Sequence, residues 1–223
     1  FAPGVTTQTF SVAITADADV ERDETFNIIV TDISTDRDVD SGEPGTGTID
    51  NEDTGPMTIR GTAFEGAGGT PTLFRDGEDL RVIDALTGED VQAPREFASV
   101  TNIVVTGRDN SDDTLILDFA TGAIIPAGGI DYDGGDNGND GLQLDNGVFT
   151  AITHNFIDGS SGSVDLDGLT ITYSDLEPIA DNLAATNRDF NFSPSDDTVT
   201  IGDSGAPGDG LSQISSTGTS ESV

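Results

Sequence analysis

The chain contains no cysteine, no lysine and no tryptophan, and its single histidine is His154. Without cysteine it can form no disulfide, no thiolate nucleophile and no Cys-type zinc site. Few of the residues that form nucleophilic sites in enzymes are therefore available here. Neither a Gly-x-Ser-x-Gly motif nor a zinc-protease motif is present. His154 alternates with Ile152 and Phe156, which predicts a packed strand residue and not a base. We therefore expect no catalytic activity.

Positive charge is scarce, because 8 basic residues, all of them arginine, face 42 acidic residues and leave a formal net charge of −34. A field of this sign repels phosphates and anionic membrane surfaces, so we expect no nucleic-acid partner. Long apolar runs of the roughly 18 to 20 residues that span a bilayer are also lacking, so we expect no membrane insertion. Repulsion among the acidic side chains destabilises a compact chain unless cations offset it. Either specific calcium sites or an acidic surface adapted to a salty medium would account for this composition.

Short apolar runs with a period of two recur along the whole chain and are separated by Gly, Asp, Asn and Pro. Phe10, Val12 and Ile14 share one face of such a run, and Phe26 and Ile28 share a face of another. This pattern predicts an all-β protein. The polar sequence NEDTGP at residues 51–56 predicts a boundary between domains. We expect a first domain at residues 1–53, a linker at 54–57 and a second domain at 58–223 that continues beyond residue 223.

A five-residue pattern of aspartate, small or polar residue, aliphatic, any residue, aliphatic recurs in the second domain. Its aspartates are Asp113, Asp140, Asp167 and Asp197, which are 27, 27 and 30 residues apart. Such a period predicts stacked units, as in a parallel β-helix or β-solenoid. The aliphatic residues expected to stack inside are Leu115, Leu142, Leu169 and Val199. The alternative is a second β-sandwich, because Asp-Gly and Asp-Thr dipeptides also begin many hairpins.

Residues 9–30 read TFSVAITADADVERDETFNIIV and residues 45–53 read GTGTIDNED. Through these segments, residues 5–53 resemble the second half of a Calx-β domain, an immunoglobulin-like calcium module of exchangers, integrin β4 and giant bacterial surface proteins. The resemblance implies a partial sandwich that lacks its first strands. It also implies calcium ligands on the acidic loops at one end of the sandwich, namely Asp17, Glu21, Asn51, Glu52 and Asp53.

The sequences at 113–144 and 171–179 resemble the β-rich repeat regions that follow Calx-β modules in planctomycete-type and cyanobacterial surface proteins. GGDNGNDGL, at residues 134–142, is similar to an RTX calcium repeat with one extra residue. That similarity implies Asp136 and Asp140 as a second set of metal ligands, and a glycine-rich turn without metal is the alternative. Asn191 begins an Asn-Phe-Ser sequon and is a candidate for N-glycosylation.

We therefore expect a Ca²⁺-stabilised structural or adhesive segment of a large secreted bacterial surface or matrix protein, located outside the cell. Its expected partners are other copies or flanking segments of the same protein, joined through β-strand pairing, and cell-surface glycans. One alternative is a filament subunit, because a sandwich that lacks strands exposes edges that a donor strand can pair with. A second alternative is a β-helix carbohydrate-active enzyme. The candidates for its catalytic residues would be Arg108, Asp112, Asp113, Asp136 and Asp140.

Overall fold

The computed structural model describes residues 9, 11–13, 23–29, 43–49, 53–65, 69–192, 198–203, 212–216 and 223. These residues form β-strands and two short 3-10 turns, and no α-helix occurs among them. The prediction of an all-β chain is therefore confirmed. The chain divides into two compact units, Phe1–Asp53 and Thr54–Val223.

In the smaller unit, β1 (Glu24–Ile28) pairs antiparallel with β2 (Gly45–Ile49). Phe26 lies opposite Gly47, and a Cβ atom at Gly47 would come within 2.4 Å of the Phe26 ring. Glycine is therefore required there for the ring to lie across the neighbouring strand. Phe26 and Ile28 are half-buried. Two paired strands do not test the predicted Calx-β sandwich, which stays a prediction.

The larger unit contains an eleven-stranded sheet and a separate two-stranded sheet. The strands of the large sheet are β3 (Gly55–Ile59), β4 (Pro71–Asp76), β5 (Asp79–Asp84), β6 (Arg95–Glu96), β7 (Val100–Thr106), β8 (Thr114–Asp118), β9 (Ile130–Asp133), β10 (Gly141–Phe156), β11 (Gly162–Leu166), β12 (Leu169–Ser174) and β13 (Ile179–Asn191). The small sheet pairs β14 (Val199–Asp203) antiparallel with β15 (Ser212–Ser216). Since β3 begins at Gly55, residues 55–57 belong to a strand and not to the linker that we expected.

Two parallel ladders organise the large sheet. The first ladder consists of β3, β7, β9 and β12, and the second consists of β4, β8, β10 and β13. The chain passes from the first ladder to the second after β3, β7, β9 and β12. In the first ladder Ile103, Ile130 and Ile171 are neighbours in register, and all three are buried. Aliphatic side chains from successive passes thus stack into one core.

Antiparallel strands complete the large sheet. β5 and β6 extend the β4 edge, and β11 lies between β10 and β12 and so joins the two ladders. β10 belongs to both the parallel and the antiparallel part of the sheet, because its first five residues pair with β8 and its last five pair with β11. A bulge at Asn146, which has a φ of 61°, separates these two parts.

The predicted stacking of aspartate-led strands is half correct. Leu115 and Leu142 are buried neighbours on parallel strands, as predicted, but the next residue in that row is Ile179 of β13. Leu169 lies in the first ladder, and Val199 is 40% exposed in the separate hairpin, so both predictions are wrong.

The prediction for Leu169 fails because of the turn that Asp167 forms. Asp167 and Gly168 have φ values of 52° and 91° and connect the antiparallel strands β11 and β12. The Asp167 carboxylate accepts the N–H groups of Thr150 and Ala151. This Asp-Gly pair therefore begins a hairpin and not a new pass of the ladders.

Candidate cation site at two stacked turns

Two turns with related sequences carry the chain from the first ladder to the second. The first turn is residues 107–113, GRDNSDD, and the second turn is residues 134–140, GGDNGND. Both follow the pattern Gly-x-Asp-Asn-x-x-Asp with an offset of 27 residues, and Asn110 and Asn137 have matching φ values of 57° and 60°. The sequence interpretation treated the second turn as a single copy. Comparing the residues that precede Asp113 and Asp140 would have revealed the pair.

Hydrogen bonds hold the second turn against the first. The N–H of Asn139 donates to the Asp112 carboxylate at 3.0 Å, and the N–H of Asp136 donates to the Asp109 carboxylate at 3.2 Å. The N–H of Asn110 donates in return to the carbonyl oxygen of Asp136 at 2.7 Å. The acidic pattern that both turns share therefore has a structural role, since carboxylates of the first turn accept hydrogen bonds from backbone N–H groups of the second.

Glycines allow the turns to approach closely. A Cβ atom at Gly107 would lie 2.1 Å from the carbonyl oxygen of Gly134, and one at Gly134 would lie 2.1 Å from the carbonyl oxygen of Asp175. A Cβ atom at Gly138 would lie 2.1 Å from the Ser111 carbonyl oxygen. Any larger residue at these three positions would push adjacent passes of the chain apart.

Asp113 ends the first turn, and its charge is balanced within the protein. Its side chain is fully buried, and it accepts hydrogen bonds from the Arg108 guanidinium at 2.5 Å to Oδ1 and from the Arg108 backbone N–H at 2.7 Å to Oδ2. The hydrogen bond to Asp113 raises the pKa of Arg108. A buried carboxylate with a bidentate arginine partner is an energetically acceptable arrangement.

Asp140 ends the second turn, and its charge is not balanced in this way. It is 1% exposed, its Oδ1 accepts the N–H of Asp113 at 2.7 Å, and its Oδ2 has no hydrogen-bond partner among the described residues. Burial, together with the nearby carboxylates of Asp113, Asp112 and Glu177, raises the pKa of Asp140 to about 6, although the hydrogen bond from the Asp113 N–H lowers it. Proton or cation binding would relieve this unpaired charge.

The surroundings of Asp140 Oδ2 are rich in oxygen. The point where a Cβ of Gly138 would lie is 2.4 Å from Asp140 Oδ2 and 2.1 Å from the Ser111 carbonyl oxygen, so both oxygens lie on the same side of Gly138. The Asp112 carboxylate is close enough to affect the charge of Asp140. No group of three or more His, Asp or Glu side chains in the described part of the chain is arranged to hold a metal ion. Backbone carbonyl groups and water would have to supply the remaining ligands of a cation here.

The predicted metal ligands fall into different places. Asp136 is exposed on the second turn, whereas Asp140 is buried in it, so the two residues share a turn but not an environment. Asp53 is half-buried in the smaller unit. Asp17, Glu21, Asn51 and Glu52 lie outside the described residues.

A second buried polar cluster surrounds His154. Its Nε2 lies 2.9 Å from Asp181 Oδ2, and Asp181 also accepts hydrogen bonds from Arg188 and from the N–H of Leu183. Burial alone would raise the pKa of Asp181, but the hydrogen bonds from His154 and Leu183 and the charge of Arg188 hold it below its usual value. His154 is fully buried, which agrees with a packed strand residue.

Asp181 was not recognised from the sequence. It occupies the position in β13 that continues the buried row Leu73, Leu117 and Leu144 of the second ladder. Sequence patterns gave no sign of it, because His154 and Asp181 become neighbours only when β10 and β13 bend around the core.

Asn191, the candidate glycosylation site, is the exposed last residue of β13. Its side-chain Nδ2 donates a hydrogen bond to Asn155 at 2.8 Å. Ser193 of the sequon lies outside the described residues.

A comparison with protein-family models, curated proteins and solved structures found no match to this chain. In the described part of the chain, no helix is long and apolar enough to span a bilayer.

Proposed function

We propose that this chain is a calcium-stabilised, non-catalytic structural or adhesive segment of a larger secreted surface or matrix protein. The observation that carries the proposal is Asp140, a buried carboxylate whose unpartnered oxygen lies on the same side of Gly138 as the Ser111 carbonyl oxygen, between two stacked turns. A hard divalent cation, with its preference for carboxylate and carbonyl oxygens, suits this environment. Because the cation would bind the folded turns and not the unfolded chain, it would stabilise the fold.

The distribution of arginine supports the same proposal. Five arginines in the described residues already have partners inside the protein. They are Arg75 on the Phe97 ring, Arg81 with Asp76 and Asp90, Arg95 on the carbonyls of Gly55 and Pro56, Arg108 with Asp113, and Arg188 with Asp181. The formal charge of −34 already includes every arginine, so cations from the medium must balance the remaining negative charge.

The fold that we favour for the larger unit is a short parallel β-helix, or β-solenoid, with hairpin insertions. Its support is the repeated passage between two parallel ladders and the in-register pairing of Leu115 with Leu142 across 27 residues. A β-sandwich interpretation would rest on the antiparallel strands β10, β11 and β12. Stacked passes of this kind are common in extended structural proteins.

The setting of the protein follows from the two resemblances. A Calx-β half-domain followed by β-rich repeats suits a large extracellular protein that pairs with other copies or flanking segments, with cell-surface glycans as further partners. We propose a separate calcium site at Asp17, Glu21, Asn51, Glu52 and Asp53 in the smaller unit. Calcium at millimolar concentration outside cells is sufficient for weak sites of this kind.

A non-catalytic role is favoured by the state of the groups that could act in catalysis. His154 is fully buried against Asp181 and the rings of Phe156 and Phe190. Asp113, the acid nearest to an arginine, is buried in its pair with Arg108. Neither group is placed to meet a substrate.

Calcium titration calorimetry tests the site in the second turn. We expect Asp140→Asn to lose one class of calcium-binding sites relative to the wild-type chain. Asp189→Asn removes the same charge from an exposed position on β13 and should bind calcium as the wild type does. Equal binding by all three proteins would show that Asp140 is not a ligand.

A filament subunit is the second candidate, and the smaller unit favours it. Its described strands β1 and β2 contain no fully buried residue, and Ile29 is 62% exposed at the end of β1. Pairing with a strand from another copy would cover such residues. Negative-stain electron microscopy of the purified chain should then show fibres, whereas dispersed single particles at high concentration would contradict the idea.

A further inference from the structure

The first and second turns differ at the position that decides how the buried aspartate is neutralised. The offset of 27 residues places Asp113 in correspondence with Asp140, and Arg108 in correspondence with Gly135. Both aspartates are buried to the same degree, at 0% and 1% exposure. The first therefore forms an ion pair with the arginine of its own turn, and the second forms none with the described residues.

The contacts of the two carboxylates show the consequence. Both oxygens of Asp113 are occupied, since Arg108 Nη2 donates to Oδ1 and the Arg108 backbone N–H donates to Oδ2. Asp140 receives the Asp113 N–H on Oδ1 and nothing on Oδ2 among the described residues. An unpaired buried charge is costly, whereas the same charge with a cation beside it is tolerated.

We propose that a divalent cation neutralises Asp140 in the second turn, as the Arg108 guanidinium neutralises Asp113 in the first. We also propose that Arg108 keeps such a cation out of the first turn. The inference deepens the proposed calcium dependence and rests on it. Arg108 thereby sets the number of ions that the stacked turns bind. It acts as a specificity-determining residue, because its guanidinium occupies the oxygens that a cation would need.

The stack also explains why the second turn has no arginine of its own. Gly135 has a φ of 101°, and its Cβ would lie 3.0 Å from the backbone carbonyl atoms of Arg108. An arginine at this position would be strained by its φ value and crowded by the first turn. An external cation, which needs no side chain, avoids both problems.

Counting bound calcium by equilibrium dialysis tests the role of Arg108 in the full chain. Arg108→Met keeps most of the apolar stem and removes the guanidinium, so Asp113 should gain affinity for calcium and the chain should bind one more ion than the wild type. Arg60→Met is the matched control, because Arg60 is exposed and the change in net charge is the same. The double variant Arg108→Met with Asp113→Asn should return to the wild-type number.

The results separate this inference from the proposed function. An Arg108→Met chain that binds the same number of ions as the wild type and Arg60→Met would overturn the role of Arg108 while leaving the site at Asp140 intact. A wild-type chain that binds no calcium would overturn the proposed function and the cation at Asp140, and a new ion in Arg108→Met would then support only the exclusion of a cation by Arg108. If Arg108→Met does not fold in calcium, Arg108→Gln, which removes the charge and keeps an N–H donor for Asp113, is counted instead. One ion more than wild type supports the exchange of cation for guanidinium, and an unchanged number overturns it.

Discussion

At the scale of single residues, three buried aspartates meet three different environments. Asp113 is paired with Arg108, and Asp181 is paired with His154 and Arg188. Asp140 has one backbone N–H and no cationic partner in the described residues. Since an unpaired charge is tolerated poorly in a protein interior, the first two residues stabilise the fold in their ionised form, whereas Asp140 in that form has a charge that no ion pair compensates.

The Asp181 cluster predicts a dependence of stability on pH. The pKa of Asp181 is held below its ordinary value of 3.8, so its ionised form contributes stability that is present above this value and is lost as the pH falls through the lower pKa of the folded state. Asp181→Asn should destabilise the chain by about 2 to 3 kcal/mol at pH 7, because His154 and Arg188 lose their charged partner. Urea unfolding between pH 3 and pH 7 measures the difference.

The difference between wild type and Asp181→Asn should shrink as the pH falls below about 4. Asp189→Asn is again a suitable control, since it removes an exposed carboxylate from the same strand. A difference that stays constant across the whole pH range would mean that the ionised carboxylate of Asp181 does not stabilise the fold.

At the scale of strands and turns, local sequence predicted the strands well and their partners only in part. The period-two pattern identified β8 and β10, and the offset of 27 residues gave their parallel register. The same aspartate-led pattern failed at Asp167, because an Asp-Gly pair fits a hairpin as well as a passage between ladders. Parallel and antiparallel pairing depend on where distant strands lie, and a five-residue pattern does not carry that information.

The candidate site was predictable to a similar extent. Asp140 was predicted as a metal ligand from its glycine-rich turn, and the structure places its side chain in the interior of that turn. The Arg108 and Asp113 pair remained unrecognised as part of the site, although the repeated pattern Gly-x-Asp-Asn-x-x-Asp would have placed it beside the second turn. The His154 and Asp181 contact had no signal, since Asp181 pairs in register with Leu144, ten residues before His154 on β10, and only the folded sheet brings the two side chains together.

The aliphatic row of the second ladder predicts which side chains hold the passes together. Leu117 is fully buried between Leu73 and Leu144, its neighbours in register. Leu117→Ala should lower the free energy of unfolding by about 2 to 5 kcal/mol through lost burial and the cavity left behind. Chemical denaturation measures this change.

Leu86→Ala is the matched control for this experiment, because Leu86 is 77% exposed in the β5 to β6 connection. Its effect should stay within about 0.5 kcal/mol. Similar losses for both variants would contradict a core built from the stacked rows.

At the scale of the whole molecule, negative charge dominates. The formal charge is −34, and the described arginines other than Arg60 are engaged in contacts inside the larger unit. Two physical effects of added cations must therefore be separated. Any salt screens repulsion among exposed carboxylates, whereas a specific site responds to calcium at concentrations too low to change the screening.

Thermal unfolding of the wild-type chain in calcium, compared with a chelator at matched ionic strength, separates these effects most directly. For a site with a dissociation constant on the order of 10⁻⁴ M, about 10 mM calcium would add about 2.7 kcal/mol to the free energy of unfolding. In a unit of this size that gain corresponds to a rise of roughly 5 to 10 °C in the melting temperature. We expect calcium chloride to produce this rise and sodium chloride of equal ionic strength to produce only a small part of it. A sodium chloride sample that melts at the same temperature as the calcium sample would contradict a specific calcium site.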